Sequence, residues 1–386
     1  MRETDAESGM RAEAAGGVAG PRAQAALWFF LLFALVVVVA IHQAARAHYD
    51  FGTFYYAAHM VTGGARHQLY DLSAQRAWQA SYHRPATQLF YYPPLALVPY
   101  LLVSWLPMLP AFVLWTALSL LLLMVCVRTL SRLAGVDYGN WPLLLSLAFL
   151  PTAACLAHGQ VSILILAVYL ATYVLWRDGR RFLAGLVLSI ATLKFQLVAG
   201  FVAVLLLRGK WRALAGFACG AAVCAGLSLW MTGKQALIAY PAFVRHSEGG
   251  VGSEPGNMAN WRGLIGLVAH HPLAWVVVLS VVTVAWAARA WVNLEIGISA
   301  SLLAALLTSY HMNPQDLVLA LLPFFLCRRS GAMPARWLVP VALTMVLAPV
   351  VLMASGAPFA LLAILVAAAL GMLGWTAMRA TPAGQG

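Results

Sequence analysis

Residues 111–127 read AFVLWTALSLLLLMVCV, an apolar run without a single charge that stops just before Arg128. A bilayer core about 30 Å thick asks a helix for roughly 17 to 25 such residues. Further apolar runs extend from this one in both directions. They lie at about 27–41, 93–107, 141–157, 161–176, 182–207, 213–231, 272–288, 291–310, 317–327, 337–353 and 359–378. Each run counted as one crossing predicts an all-α polytopic membrane protein with about ten to twelve transmembrane helices.

The composition agrees. The chain of 386 residues is 62% hydrophobic and 9% charged, against about 25% charged in soluble domains. No stretch stands apart as a soluble unit, so 27–379 reads as a single transmembrane domain. The formal charge of +12 does not point to nucleic acid. The basic residues sit in short clusters between apolar runs, such as Arg128/Arg132, Arg177/Arg180/Arg181, Arg208/Lys210/Arg212 and Arg328/Arg329/Arg336. Cytoplasmic loops look like this, whereas a nucleic-acid footprint is a basic face on a soluble fold. Cys126, Cys155, Cys219, Cys224 and Cys327 lack metal-site spacing and lie in or beside apolar runs, which predicts buried free thiols.

Residues 1–26, rich in Ala and Gly, predict a disordered cytoplasmic tail, and 380–386 a short C-terminal one. Ala45-Arg46-Ala47 resembles a signal-peptidase site, but the acidic tail (Glu3, Asp5, Glu7, Glu13) favours an uncleaved anchor. A cytoplasmic tail places the polar loop 42–92 outside. One crossing per run also exports the Arg177/Arg180/Arg181 cluster, against the positive-inside rule. A re-entrant 93–107 and a hairpin at 182–207 remove that conflict. Either count puts 42–92, the Gly-rich loop 232–271 and 309–316 on one extracytoplasmic side.

Beyond the tail the acids are Asp50, Asp71, Asp137, Asp178, Glu248, Glu254, Glu295 and Asp316. Ionisable groups at a membrane are costly and mark candidate sites. Asp50, within Tyr49-Asp50-Phe51-Gly52-Thr53-Phe54-Tyr55-Tyr56, is either a helix cap or a partly desolvated general base. Asp71, in Leu69-Tyr70-Asp71, reads as a helix cap. Lys194 is the lone charge of run 182–207. It either snorkels to the interface or meets a phosphate as a point charge. His311, in Ser309-Tyr310-His311-Met312-Asn313-Pro314-Gln315-Asp316, is a candidate acid or phosphate donor. Asp316 either orients it or caps the helix after Pro314. His158-Gly159-Gln160 separates two apolar runs, and Asn257, Asn260, Trp261 and Arg262 offer amides, a ring and a guanidinium. P-loop, HExxH and GxSxG motifs are absent from the sequence, so ATP hydrolysis, zinc proteolysis and nucleophile-elbow hydrolysis have no support.

In this order, Asp50…Phe54-Tyr55, Leu69-Tyr70-Asp71, Phe90-Tyr91-Tyr92-Pro93-Pro94-Leu95, Gly159-Gln160, Ala184-Gly185…Leu193-Lys194 and Ser309-Tyr310-His311…Asp316-Leu317 resemble glycosyltransferase family 87. Its members are integral-membrane enzymes of the GT-C superfamily, related to bacterial polyprenol-phosphate-mannose-dependent mannosyltransferases. The resemblance covers about 27–330. The chain departs from the family pattern at Phe195-Gln196, where proline usually follows the lysine, at Ser309-Tyr310, where Ser-Pro is common, and at Asn257-Met258-Ala259-Asn260, where Asn-Gln-Ser is common.

The resemblance implies a GT-C-like bundle in the plasma (inner) membrane with its active site on the extracytoplasmic face. It implies transfer of a hexose, mannose above all, from a polyprenyl-phosphate donor to a glycan or glycolipid acceptor. The partners are then membrane lipid, the lipid-linked donor and the acceptor, with no nucleic acid, no cofactor and no metal ligands. Asp50 and His311 are the expected catalytic pair and Lys194 and Arg262 the phosphate ligands. Tyr55, Tyr92, Gln160, Asn260 and Asp316 are expected to meet substrate. The competing class, a transporter or flippase of lipid-linked sugars, calls for inverted repeats and mid-membrane charges. Most charges of this chain fall in loops.

Overall fold

Every element of the computed structural model is a helix, and no strand occurs among the described residues, which are 50–82, 89–136, 138–246, 254–269 and 272–380. The expected tail 1–26, the first run 27–41, the Ala45-Arg46-Ala47 site and 381–386 lie outside them.

Within the polar stretch 42–92, read as a loop, the described residues 50–82 fold largely into helices. Asp50–Thr62 forms α1 and Leu72–Ser81 forms α2. Asp71 caps α2, its Oδ1 accepting from Ala74 N at 2.9 Å. α1 is core rather than loop because its aromatics find partners. Phe54 stacks on Tyr100 at 4.3 Å and Tyr100 on Trp115 at 4.3 Å, while Phe51 meets Phe112 edge-on at 5.1 Å. Aromatic pairs of this kind contribute about 0.5–1.5 kcal/mol each beyond area burial.

The opening run becomes α3, Met108–Ala134, closed by Gly135 at φ 64°. After it, the run at 141–157 breaks, and the run at 182–207 bends as the hairpin reading of it expected. Trp141–Ala148 (α4) and Leu150–His158 (α5) are bent by 70° at Phe149, with Pro151 in the first turn of α5. Ser162–Arg177 (α6) is straight. Arg181–Leu188 (α7) runs into a 3₁₀ stretch, Ser189–Leu197, and then turns by 117° into Ala199–Leu207 (α8). Such a bend makes a broken span or a re-entrant loop. The 93–107 run holds only the short pieces Pro94–Leu97 and Val98–Leu101.

Trp211–His246 (α9) bends at Gly233, φ 79°. The Gly216/Gly220 pair packs as its small-xxx-small spacing predicts. A Cβ on Gly216 would sit 1.9 Å from Phe182 O, and one on Gly185 1.8 Å from Ala213 O, so α7 and α9 cross backbone to backbone. Then follow Trp261–Gly266 (α10), Pro272–Arg289 (α11), Leu294–Thr308 (α12), Leu321–Arg329 (α13), Ala335–Ser355 (α14) and Leu362–Ala380 (α15). Residues 296–307 of α12 are buried without interruption, so this helix, apolar on every side, is the axis of the bundle.

The protein is a multi-pass membrane protein. Five described helices are long and apolar enough to cross a bilayer, seven if each bent pair counts as a span, besides the shorter α6 and α12. The expected ten to twelve also counted the run 27–41, which lies outside the described residues. In α14 only 11% of the most apolar window is buried in the protein, so its remaining surface faces lipid. The five cysteines are free. Cys126 and Cys155 are buried as expected, but Cys219 is exposed on the outer face of α9 and Cys224 and Cys327 are half-buried.

Candidate functional site

Two glycine-dependent features bring Asp50 to its partners. α5 ends at Gly159, φ +62°, a left-handed conformation that suits glycine. The turn closes through Gln160 N to Cys155 O at 3.0 Å. A Cβ on Gly159 would lie 2.8 Å from Phe51 Cβ, so only glycine lets α1 rest on this turn. The Tyr100 hydroxyl donates to Gly159 O at 2.7 Å and fixes it. Gln160 thereby lies beside the first turn of α1, where a carboxylate is favoured by the helix dipole.

Gln160 Nε2 donates to Asp50 Oδ2 and approaches the Tyr92 hydroxyl at 3.3 Å. Gln315 Nε2 lies 3.4 Å from the same Oδ2, and His158 Nδ1 3.8 Å from it. Every described contact to this carboxylate falls on Oδ2, leaving Oδ1 without a partner among the described residues. The Asp50 side chain remains 17% exposed. Gln160 Oε1 is buried and likewise has no described partner. Burial pushes the Tyr92 phenol up to about 12, the Lys194 charge working against it. Its hydroxyl stays protonated and can donate.

A buried ion pair underlies this layer. Lys194 leaves helical geometry inside the 3₁₀ stretch (φ −128°, ψ 74°). Its Nζ meets Asp316 Oδ1 at 2.7 Å and Ser162 Oγ at 3.2 Å, with the Tyr92 ring centroid 5.6 Å away. Asp316 Oδ2 accepts from Asn313 N at 3.1 Å, capping the turn after Pro314. Asp316 is adjacent to Gln315, which ties the pair to the Asp50 layer.

His311 sits in the loop that leaves α12. Burial lowers its pKa from the ordinary histidine value, with nearby Lys194 and Arg262 also lowering it and Asp316 and Asp50 opposing. It is neutral at pH 7. Arg262 lies over the Tyr310 ring, 4.2 Å from its centroid, and donates to Tyr310 O at 3.2 Å.

The sequence model of glycosyltransferase family 87 matches residues 90–327, well over half of the chain. The protein belongs to this family. No curated protein and no solved structure matches it.

In this family 87 glycosyltransferase the expected site residues separate into two groups. Asp50, Tyr92, Gln160, Lys194, His311 and Asp316 converge, although Asp50 precedes the matched stretch. Lys194 has a different partner from the expected phosphate: it is 1% exposed and neutralised by Asp316. Asp316, also 1% exposed, holds Lys194 and the Pro314 turn and does not face solvent. Tyr55 and Asn260 also turn to backbone partners. The Tyr55 hydroxyl donates to Leu106 O at 2.8 Å. Asn260, fully buried, caps α10 through Gly263 N at 2.9 Å and holds Ser309 O at 2.8 Å. It is burial, together with these two backbone bonds, that commits this amide to the fold.

Sequence reasoning passed over Gln315 and Ser162 in the glycosyltransferase site. Gln315 was visible in the segment around His311, beside the more conspicuous acid. Ser162, just after Gly159-Gln160, carried no signal of its own.

Proposed function

We propose that the enzyme transfers a hexose, mannose in the first instance, from a polyprenyl-phosphate donor to a glycan or glycolipid acceptor at the extracytoplasmic face of the plasma membrane. The observation that supports this reading is the Asp50 carboxylate, with the Gln160 and Gln315 amides both on Oδ2 and with Oδ1 left without a partner among the described residues.

Asp50 Oδ1 takes the proton of the acceptor hydroxyl. The acceptor oxygen bonds to the anomeric carbon as that carbon's bond to the phosphate oxygen breaks, and polyprenyl phosphate leaves with the electron pair. Phosphate is a good leaving group, so a base on the acceptor side and donors on the phosphate side suffice. Arg262 supplies the charge there, and neutral His311 a hydrogen bond. Gln160, as buried as Lys194, acts by holding Asp50 Oδ2, and the half-buried Tyr92 hydroxyl donates to a sugar hydroxyl. Lys194 and Asp316 act from beneath, positioning Gln315.

Purified protein in liposomes should turn over polyprenyl-phosphate mannose and not a nucleotide sugar. Turnover of a nucleotide sugar without lipid carrier refutes the donor assignment. For the face, Asp71→Cys and Glu254→Cys, both exposed, on a cysteine-free background should react with an impermeant thiol reagent from outside the cell. Labelling from opposite sides rules out a single extracytoplasmic site.

A further inference from the structure

An apolar cleft of about 300 Å³ lies between α4, α13 and α14, lined among others by Trp141, Leu145, Phe324, Phe325, Val339 and Leu343. Its walls are almost wholly apolar, and the Ser146 hydroxyl in them is spent on Pro142 O at 2.7 Å. One end of it is basic. Arg328 follows Phe324 and Phe325 at +4 and +3, and so lies on the same face of α13 one turn further on. Arg336, Val339, Leu343 and Val346 recur at three- and four-residue spacing, which places Arg336 at the head of the face of α14 that lines the cleft. Arg329 Nη1 donates to Leu133 O at 2.6 Å, so Arg132 at the end of α3 belongs to this end too.

Arg329 is already neutralised by Glu295 at 3.1 Å. Arg132, Arg328 and Arg336 have no acidic partner among the described residues. Asp137, between the lining residues Val136 and Tyr138, lies outside them. Among the described residues this end is therefore net positive. Tyr138, Trp141 and Trp337 are exposed here, as aromatics are at a headgroup level.

The geometry points to a binding site for an anionic phospholipid of the surrounding bilayer, with an acyl chain in the cleft and the headgroup phosphate on Arg336 and Arg328. Charge complementarity selects this occupant: unpaired guanidinium groups at the polar end of an apolar slot match a phosphate on a hydrocarbon chain. The glycosyl donor is a poor fit, because its phosphate must reach the Asp50 layer. From Asp316 to Arg328 the chain rises roughly 20 Å, at about 2 Å per residue through the 3₁₀ turn and 1.5 Å beyond. The bound lipid would fix α14, which the protein itself scarcely buries, against α4 and α13.

Native mass spectrometry of the full chain, offered equal phosphatidylglycerol and phosphatidylcholine, tests this. The expected result is preferential retention of one phosphatidylglycerol. Arg328→Gln with Arg336→Gln should lower that preference about 25-fold, at roughly 5-fold per arginine. Arg328→Lys with Arg336→Lys should largely keep it. Leu343→Trp, which fills the cleft, should reduce binding of both lipids. Should the glutamine pair fail to fold, exposed Arg336→Gln alone is read instead, with about a 5-fold loss expected. Equal binding of the two lipids by the wild type overturns the proposal, as does a preference that survives loss of the arginines. Displacement of phosphatidylglycerol by polyprenyl phosphate also overturns it, since the cleft would then belong to the donor.

Discussion

Lys194 Nζ lies 2.7 Å from Asp316 Oδ1, across 122 residues of sequence, with both side chains almost wholly buried. The only charge of one apolar run is thereby matched to the acid that opens another. A buried pair of this kind need not stabilise the fold relative to an apolar replacement, but breaking it by removing one partner leaves an uncompensated charge.

Lys194→Met and Asp316→Leu should therefore each destabilise the protein by about 3–5 kcal/mol, and the double substitution by much less. Thermal unfolding in detergent across the double-mutant cycle measures this. Additive losses would show that the two groups do not interact. The double variant should still lose activity if the pair positions Gln315 against Asp50.

Asp50→Asn keeps size and shape while removing the basic oxygen. Membrane levels should be normal and transfer reduced by about 10²- to 10⁴-fold, which is roughly 3 to 5 kcal/mol of barrier. Asp71→Asn, which touches only the cap of α2, should keep most of its activity. Near-normal turnover by Asp50→Asn, under conditions where chemistry limits the rate, would place the base elsewhere.

Gly159→Ala carries a double cost: a left-handed backbone, about 1–2 kcal/mol, and a Cβ 2.8 Å from Phe51 Cβ. Because that clash pushes α1 off the turn that holds Gln160, activity should fall further than stability. Comparing kcat with the melting temperature decides it. A variant that melts early but turns over normally when folded would contradict the coupling.

His311 gives a pH dependence of fixed sign. Burial lowers its pKa in the fold, while in the unfolded chain it titrates near about 6.5. Below that value the unfolded state binds the extra proton first, so stability is full above about pH 6.5 and declines as the pH falls toward the folded value. His311→Gln should flatten the drop in melting temperature between about pH 7 and 5.5. Identical slopes for the variant and the wild type would remove His311 from the account.

The helical membrane class, the cap at Asp71, the Gly216 contact and the family were all legible in the sequence, because hydropathy, capping and small-residue spacing act over a few residues. Tertiary structure alone decided which polar groups meet. It set Asp50 against Gln160 from beyond the family-matched stretch, because the Gly159 turn lets α1 approach. It turned Lys194 inward to Asp316, since an ammonium within an apolar run must find a counter-charge, and no local rule says where that charge will be. It also enlisted Tyr55 and Asn260 for backbone contacts, packed residues 50–62 into the core and bent the 141–157 and 182–207 runs. Whether an apolar run continues as a straight helix depends on what packs against its bend, and that neighbour can lie a hundred residues away.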